Sequence, residues 1–143
     1  MERLIKSPKD TVKKVVNLKK IIVVDDKPDT TYSIKQILEK NSDEYEVITA
    51  DSGKQCLELL QNNQIPDLIL LDIVMPEMSG WDVYHRLKEK PSWRNIPVIF
   101  ITAVKDEVAQ LAEKSLGEEN YIEKPFDIDE LMKKVEKVLR SSG

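Results

Sequence analysis

Apolar residues in this chain fall into short unbroken runs separated by amphipathic stretches. Ile21-Ile22-Val23-Val24, Leu68-Ile69-Leu70-Leu71 and Val98-Ile99-Phe100-Ile101 are continuous. Runs of this kind predict strands buried on both faces. With their flanks they give strands at about 20–25, 67–72 and 97–102. Tyr45-Glu46-Val47-Ile48-Thr49-Ala50 alternates more, which predicts an edge strand at 45–50, and Tyr121-Ile122-Glu123 predicts a short fifth strand at 120–123.

Between these runs the apolar positions recur at helical spacing. Ile34, Ile37 and Leu38 predict a helix over 28–40, and Cys56, Leu57, Leu59 and Leu60 one over 52–62. Val83, Tyr84 and Leu87 predict 80–89, Val108, Leu111, Ala112 and Leu116 predict 105–116, and Ile128, Leu131, Val135, Val138 and Leu139 predict 127–140. Ser52 suits an N-cap, Gly117 suits a C-cap, and Asp127 stands at the start of the last helix.

Strand and helix alternate five times. That pattern implies right-handed crossovers and a parallel sheet covered by helices on both faces. The expected fold class is α/β, a single-domain flavodoxin-like (βα)5 fold with strand order 2-1-3-4-5. In that order a crevice opens at the carboxyl ends of the first and third strands. The first strand runs into Asp25-Asp26, and the third into Asp72 and the loop Ile73-Val74-Met75-Pro76-Glu77-Met78-Ser79-Gly80. The fourth ends at Thr102 and the fifth at Lys124-Pro125. Three carboxylates, a hydroxyl and an ammonium are thus expected at one sheet edge.

Carboxylates side by side in a crevice repel each other and are costly to desolvate. A hard divalent cation relieves both problems. Mg²⁺ takes oxygen ligands from one or two carboxylates, water and substrate, and no His or Cys joins the set to suggest zinc. With such a cation and Lys124 to offset charge, one carboxylate can attack phosphorus and become an acyl phosphate, with Thr102 donating to a phosphoryl oxygen.

The chain has 143 residues with 41% apolar, enough for one core and too much for wholesale disorder. No apolar run approaches the roughly 18 residues of a membrane span, and the N-terminus lacks a signal-peptide core. Those observations lead to an expectation of a soluble, cytoplasmic protein. The single cysteine, Cys56, excludes an internal disulfide framework and reads as buried filler. Charge is uneven. Residues 1–20 carry a net +5 within a chain of −4, leaving an acidic body that argues against nucleic acid as a direct partner. The basic leader, 1–18, is expected to be a flexible or loosely helical extension, because Val12, Val15 and Val16 share a helical spacing. Ser141-Ser142-Gly143 reads as tail.

Over about residues 19–140 the chain resembles the receiver domain of two-component response regulators. The motifs are Val23-Val24-Asp25-Asp26-Lys27-Pro28, Leu70-Leu71-Asp72 with its loop to Gly80, Pro97-Val98-Ile99-Phe100-Ile101-Thr102-Ala103, and Tyr121-Ile122-Glu123-Lys124-Pro125-Phe126. The four in order, on the right elements, are very specific. The resemblance implies that Asp72 is the phosphoacceptor. Asp25, Asp26 and Asp72, with the backbone carbonyl of Val74, would hold Mg²⁺, with Mn²⁺ as a substitute. Thr102 would engage the phosphoryl oxygens and Lys124 would pair with the phosphate. The Lys124–Pro125 bond would be cis, and Thr102 with Tyr121 would form the switch.

It further implies a sensor histidine kinase or phosphotransfer protein as donor. A downstream protein or output domain would meet the 105–140 face, which would also be the face of any homodimer. No enzymatic activity is expected beyond self-phosphorylation and self-dephosphorylation on Asp72. Val74 and Val104 depart from members with polar groups at those places, so neither can position a hydrolytic water and a long-lived phosphoryl group is expected.

Rival readings are a degenerate receiver that only binds proteins, a haloacid-dehalogenase-type phosphatase and a flavin carrier. The complete site set speaks against the first. The second wants an Asp at position 74, and the third wants a phosphate loop where Asp25-Asp26 stand. Taken singly, Asp72 or Thr102 could cap the element that follows it, and Tyr121 could be ordinary packing. Lone His85 reads as solvated, and Trp81 and Trp93 as packing or surface aromatics.

Overall fold

A computed structural model describes residues 3–7, 10–15, 18–103 and 120–141. Two strands come first, β1 (Arg3–Ser7) and β2 (Asp10–Val15). Then follow β3 (Lys19–Val24), α1 (Pro28–Asn41), β4 (Tyr45–Ala50), α2 (Gly53–Gln61), β5 (Leu68–Leu71) and α3 (Gly80–Glu89). Beyond these lie β6 (Val98–Thr102), β7 (Tyr121–Glu123) and α4 (Ile128–Ser141). The helix expected over 105–116 and its Gly117 cap lie outside the described residues.

The main sheet has the order β4-β3-β5-β6-β7, and each of its pairings is parallel. This is the 2-1-3-4-5 order expected, with β4 at an edge. The period-two alternation of each strand divides the core in two. Ile22, Val24, Ile69, Leu71 and Phe100 pack with Cys56, Leu57 and Leu60 of α2 and Val83 and Leu87 of α3. Ile21, Val23, Leu68, Leu70, Ile99 and Ile101 pack with Ile34 and Leu38 of α1 and Leu131, Val135, Val138 and Leu139 of α4. Each fully buried Leu, Ile or Val contributes about 1.5–3 kcal/mol. Cys56 is free and fully buried, and burial pushes its thiol up to about 12, so it is inert filler.

Helix starts follow their local chemistry. Pro28 opens α1, where its missing N–H costs nothing. The Ser52 hydroxyl accepts from the Gln55 N–H at 3.0 Å. Ser79 and Asp82 form a reciprocal capping box on α3, with bonds of 3.1 and 3.0 Å. The Asp127 carboxylate accepts from the Glu130 N–H at 2.7 Å at the head of α4.

The leader departs from expectation. Residues 3–7 and 10–15 pair as antiparallel strands, with Leu4 opposite Lys14 and Ile5 opposite Lys13, rather than forming a loose helix. Ile5, Thr11, Val12 and Val15 are β-branched, and that preference outweighs the helical spacing of the valines. Among the described residues no helix is long and apolar enough to cross a membrane.

Candidate functional site

Main-chain hydrogen bonds carry the sheet ladder one step past the strands and place the predicted residues. The Asp25 N–H donates to the Ala50 carbonyl at 3.2 Å, and the Asp72 N–H donates to the Val24 carbonyl at 3.0 Å. The Lys124 N–H donates to the Thr102 carbonyl at 2.9 Å. Asp25, Asp72, Thr102 and Lys124 therefore stand at the carboxyl ends of four adjacent strands.

Side chains then converge. Lys124 Nζ lies 2.7 Å from Asp25 Oδ2 and 3.9 Å from Asp72 Oδ2. The other Asp25 oxygen accepts the Lys27 N–H at 2.9 Å. Asp25, Asp26 and Asp72 each offer a carboxylate oxygen within 4.8 Å of the others. Asp25 is 2% exposed, Asp72 7% and Thr102 0%, whereas Asp26 is half-buried. Burial pushes the Asp72 carboxyl from 3.8 up to about 6; Lys124 opposes that rise, Asp25 and Asp26 add to it, and a hydrogen bond from the Val74 N–H lowers it.

This donor set fits a hard divalent cation. It offers three carboxylates with no sulfur or imidazole, and the burial and, to a lesser degree, the like charges that raise Asp72 are penalties that bound positive charge relieves. Val74, two residues past Asp72, is 51% exposed, and position 74 carries no second carboxylate for a phosphatase. The Lys124–Pro125 bond is cis. Tyr121 is buried and belongs to the same core as Phe100 and Trp93. Val104 lies outside the described residues, as does any helix that Thr102 might cap.

Two contributors escape a reading of residue types alone. Gly80 donates its N–H to the Ile73 carbonyl at 2.8 Å, and a Cβ there would lie 2.1 Å from the Asp72 carbonyl oxygen. The loop that carries Asp72 is thus seated on the first residue of α3, where only glycine fits. The Lys27 N–H is the second; the sequence signal was a short Asp-x-x turn leading into Pro28. His85 is exposed on α3, as expected. Trp81 stacks on Tyr84 at 5.5 Å and meets Phe100 edge-on at 5.4 Å. Trp93 is buried although it sits in a polar loop.

Residues 21–136 match the family described as response regulator receiver domain. The chain belongs to that family. It is 35% identical over 125 residues to the transcriptional regulatory protein CpxR of Escherichia coli, covering 87% of this chain and 51% of that protein. It is 41% identical over 115 residues to a protein of Vibrio cholerae named probable cyclic di-GMP phosphodiesterase, covering 80% of this chain and 25% of that one. The chain thus spans about half, or less, of the length of these relatives. Among solved structures it is similar to the signal receiver domain of a signal transduction histidine kinase from Syntrophus aciditrophicus. That likeness has a TM-score of 0.76 at 31% identity, over 86% of this chain and 91% of that one.

Proposed function

We propose that this receiver is a phosphorylation-activated switch in which Asp72 accepts a phosphoryl group from the phosphohistidine of a histidine kinase or phosphotransfer protein. The observation that carries this reading is the Asp72 carboxylate at a sheet mouth, clustered with Asp25 and Asp26 and 3.9 Å from Lys124 Nζ.

An Asp72 oxygen attacks phosphorus, the phosphorus–nitrogen bond of the donor breaks, and the imidazole leaves with the electron pair and takes up a proton. Lys124 pairs with the transferred group, and the Thr102 hydroxyl donates to one of its oxygens. Asp25, Asp26, Asp72 and the Val74 carbonyl would hold Mg²⁺, or Mn²⁺ in its place. When bound, the cation offsets the negative charge that gathers between carboxylate and phosphoryl group. Asp25, fixed by the Lys27 N–H, holds Lys124 in place between transfers.

Thr102 and Tyr121 then act as the switch, altering the 105–140 surface that meets a downstream protein, an output domain or a second copy. The relatives that carry such a domain within longer regulators support this direction. Beyond handling its own phosphoryl group the domain catalyses no reaction. Val74 offers no polar group to aim a hydrolytic water, so the acyl phosphate decays slowly.

Intact mass after incubation with Mg²⁺ and acetyl phosphate tests the reading. A phosphoryl-sized gain that needs Mg²⁺ and is absent in Asp72→Asn is expected, followed by slow loss after the donor is removed. A folded, Mg²⁺-binding protein that gains no mass is a binding module instead. Rapid decay overturns the role given to Val74.

A further inference from the structure

We propose that Met78 is an oxidation site, where a peroxide forms the sulfoxide, loosens the loop that carries Asp72 and slows phosphoryl uptake; this rests on the reading of Asp72 as phosphoacceptor. Met78 sits in that loop, between Asp72 and the first residue of α3. Its side chain reaches the start of α2. A Cβ built on Gly53 would lie 2.9 Å from Met78 Sδ, 3.0 Å from Met78 Cγ and 2.7 Å from Val83 Cγ2. The thioether thus occupies space that only a glycine leaves open, where α2 and α3 meet the loop.

The backbone beside it is strained. Glu77 has a φ of 66°, and the Met78 N–H donates to the Pro76 carbonyl at 2.7 Å. A bond closing three residues around a positive central φ makes a γ-turn of the rare, strained kind. Such a turn persists where its surroundings hold it. On its amino side Ile73 and Met75 are buried in the core, and on its carboxyl side Met78 packs against the same core. Val74, Pro76 and Glu77 are exposed. Met78 is therefore the apolar anchor that directly follows the turn, and it tethers the loop across to α2.

Met78 is also the loop sulfur that solvent reaches. It is half-buried, whereas Met75 is 8% exposed and Cys56 is fully buried. The thioether sulfur attacks one oxygen of hydrogen peroxide. The sulfur–oxygen bond forms, the oxygen–oxygen bond breaks, and the departing hydroxide takes the proton of the transferred hydroxyl and leaves as water. Sulfur loses two electrons and the peroxide gains them. The product is a polar, chiral group in place of an apolar one. It has to bury its oxygen among apolar side chains or swing into water, and either course releases the anchor. Relaxation of the turn then reaches Asp72 through the Val74 N–H, which bonds the Asp72 carboxylate.

The test treats wild type, Met78→Leu, which keeps an apolar chain of similar volume, and Met132→Leu with hydrogen peroxide, and locates sulfoxides by peptide mass. Met132, on α4, is the other half-buried methionine among the described residues. Asp72 modification is then timed by mass with Mg²⁺ and acetyl phosphate. Oxidised wild type carries sulfoxide at Met78 and takes up the phosphoryl group about three- to ten-fold more slowly than before treatment. Met132→Leu behaves like wild type. Met78→Leu keeps its rate through the same treatment. Met78→Gln, a polar chain of similar length, is slow without any oxidant.

Absence of sulfoxide at Met78 where Met132 has taken oxygen overturns the site. Sulfoxide at Met78 with an unaltered rate overturns the link to Asp72. An equal loss of rate in Met78→Leu does so too, since oxidation then acts elsewhere. If untreated wild type takes up no phosphoryl group, the functional reading falls on its own, and the urea midpoint decides the anchor. A midpoint that drops on oxidation in wild type and holds in Met78→Leu supports it, and any other pattern overturns it.

Discussion

Strand β5 begins after one aspartate and ends before another, and the two ends of the sheet treat them differently. At the amino end, Asp67 Oδ2 accepts the Lys20 N–H at 2.8 Å, and the Asp67 N–H donates to the Lys20 carbonyl at 2.7 Å. Lys20 Nζ continues to Gln64 Oε1 at 3.1 Å. That carboxylate is committed to closing the main chain. At the carboxyl end, the Asp72 N–H extends the ladder, but its carboxylate faces burial and two like charges, which outweigh Lys124 and the Val74 N–H and leave it at about 6. An aspartate beside a strand is therefore structural when it lies in a reciprocal main-chain link such as that of Asp67 with Lys20. It is chemically poised when burial, and then neighbouring carboxylates, disfavour its charge.

The largest effect expected of a test at the carboxyl end comes from Gly80→Ala. The added methyl would lie 2.1 Å from the Asp72 carbonyl oxygen, so the loop or α3 must move. Urea unfolding should show a loss of about 3 kcal/mol, together with slower Asp72 modification. A neutral result would mean that the loop is not seated on α3 as described.

Asp72→Asn gives a smaller and more diagnostic signal. The folded-state value of about 6 lies above the ordinary 3.8, so the folded protein holds that proton more tightly. The contribution of Asp72 to stability is then lost as pH rises from about 4 through about 6. Without divalent cation, the Asn variant should melt above wild type beyond pH 6, with the gap closing toward pH 4. A gap that is constant with pH would sink the idea that crowding and burial raise Asp72.

Asp67→Ala should have the least effect on chemistry. Its main-chain link to Lys20 is worth about 1 kcal/mol, and modification of Asp72 should stay within about two-fold of wild type. Loss of phosphoryl uptake in this variant would erase the distinction between the two ends.

Much of this arrangement was legible because it is local. Continuous apolar runs marked β3, β5 and β6, and the polar residue that ended each run marked the mouth where Asp25, Asp72 and Thr102 now stand. The Ser52 cap was equally plain. What escaped depends on packing between distant positions. Gly80 looked like a loop residue until its closeness to the Asp72 carbonyl was seen. Trp93 lies among polar neighbours, yet it is buried, with Lys90 Nζ 4.1 Å above its ring. The bond from Lys134 to Tyr121 spans 13 residues and two elements, so no periodicity announces it. The leader misled because its valines share a helical spacing, while its β-branched residues favoured the strand pairing that formed.

The registry of the reacting groups is written in the main chain. Asp25 hangs from Ala50, Asp72 from Val24 and Lys124 from Thr102, in each case through an amide and a carbonyl. Such bonds do not depend on which apolar side chain occupies the strand beneath. The core can therefore exchange one aliphatic residue for another of similar volume while the carboxylates and the lysine keep their spacing. A designer could repaint both faces of this sheet, leave the terminal residues alone, and expect the same mouth to reassemble.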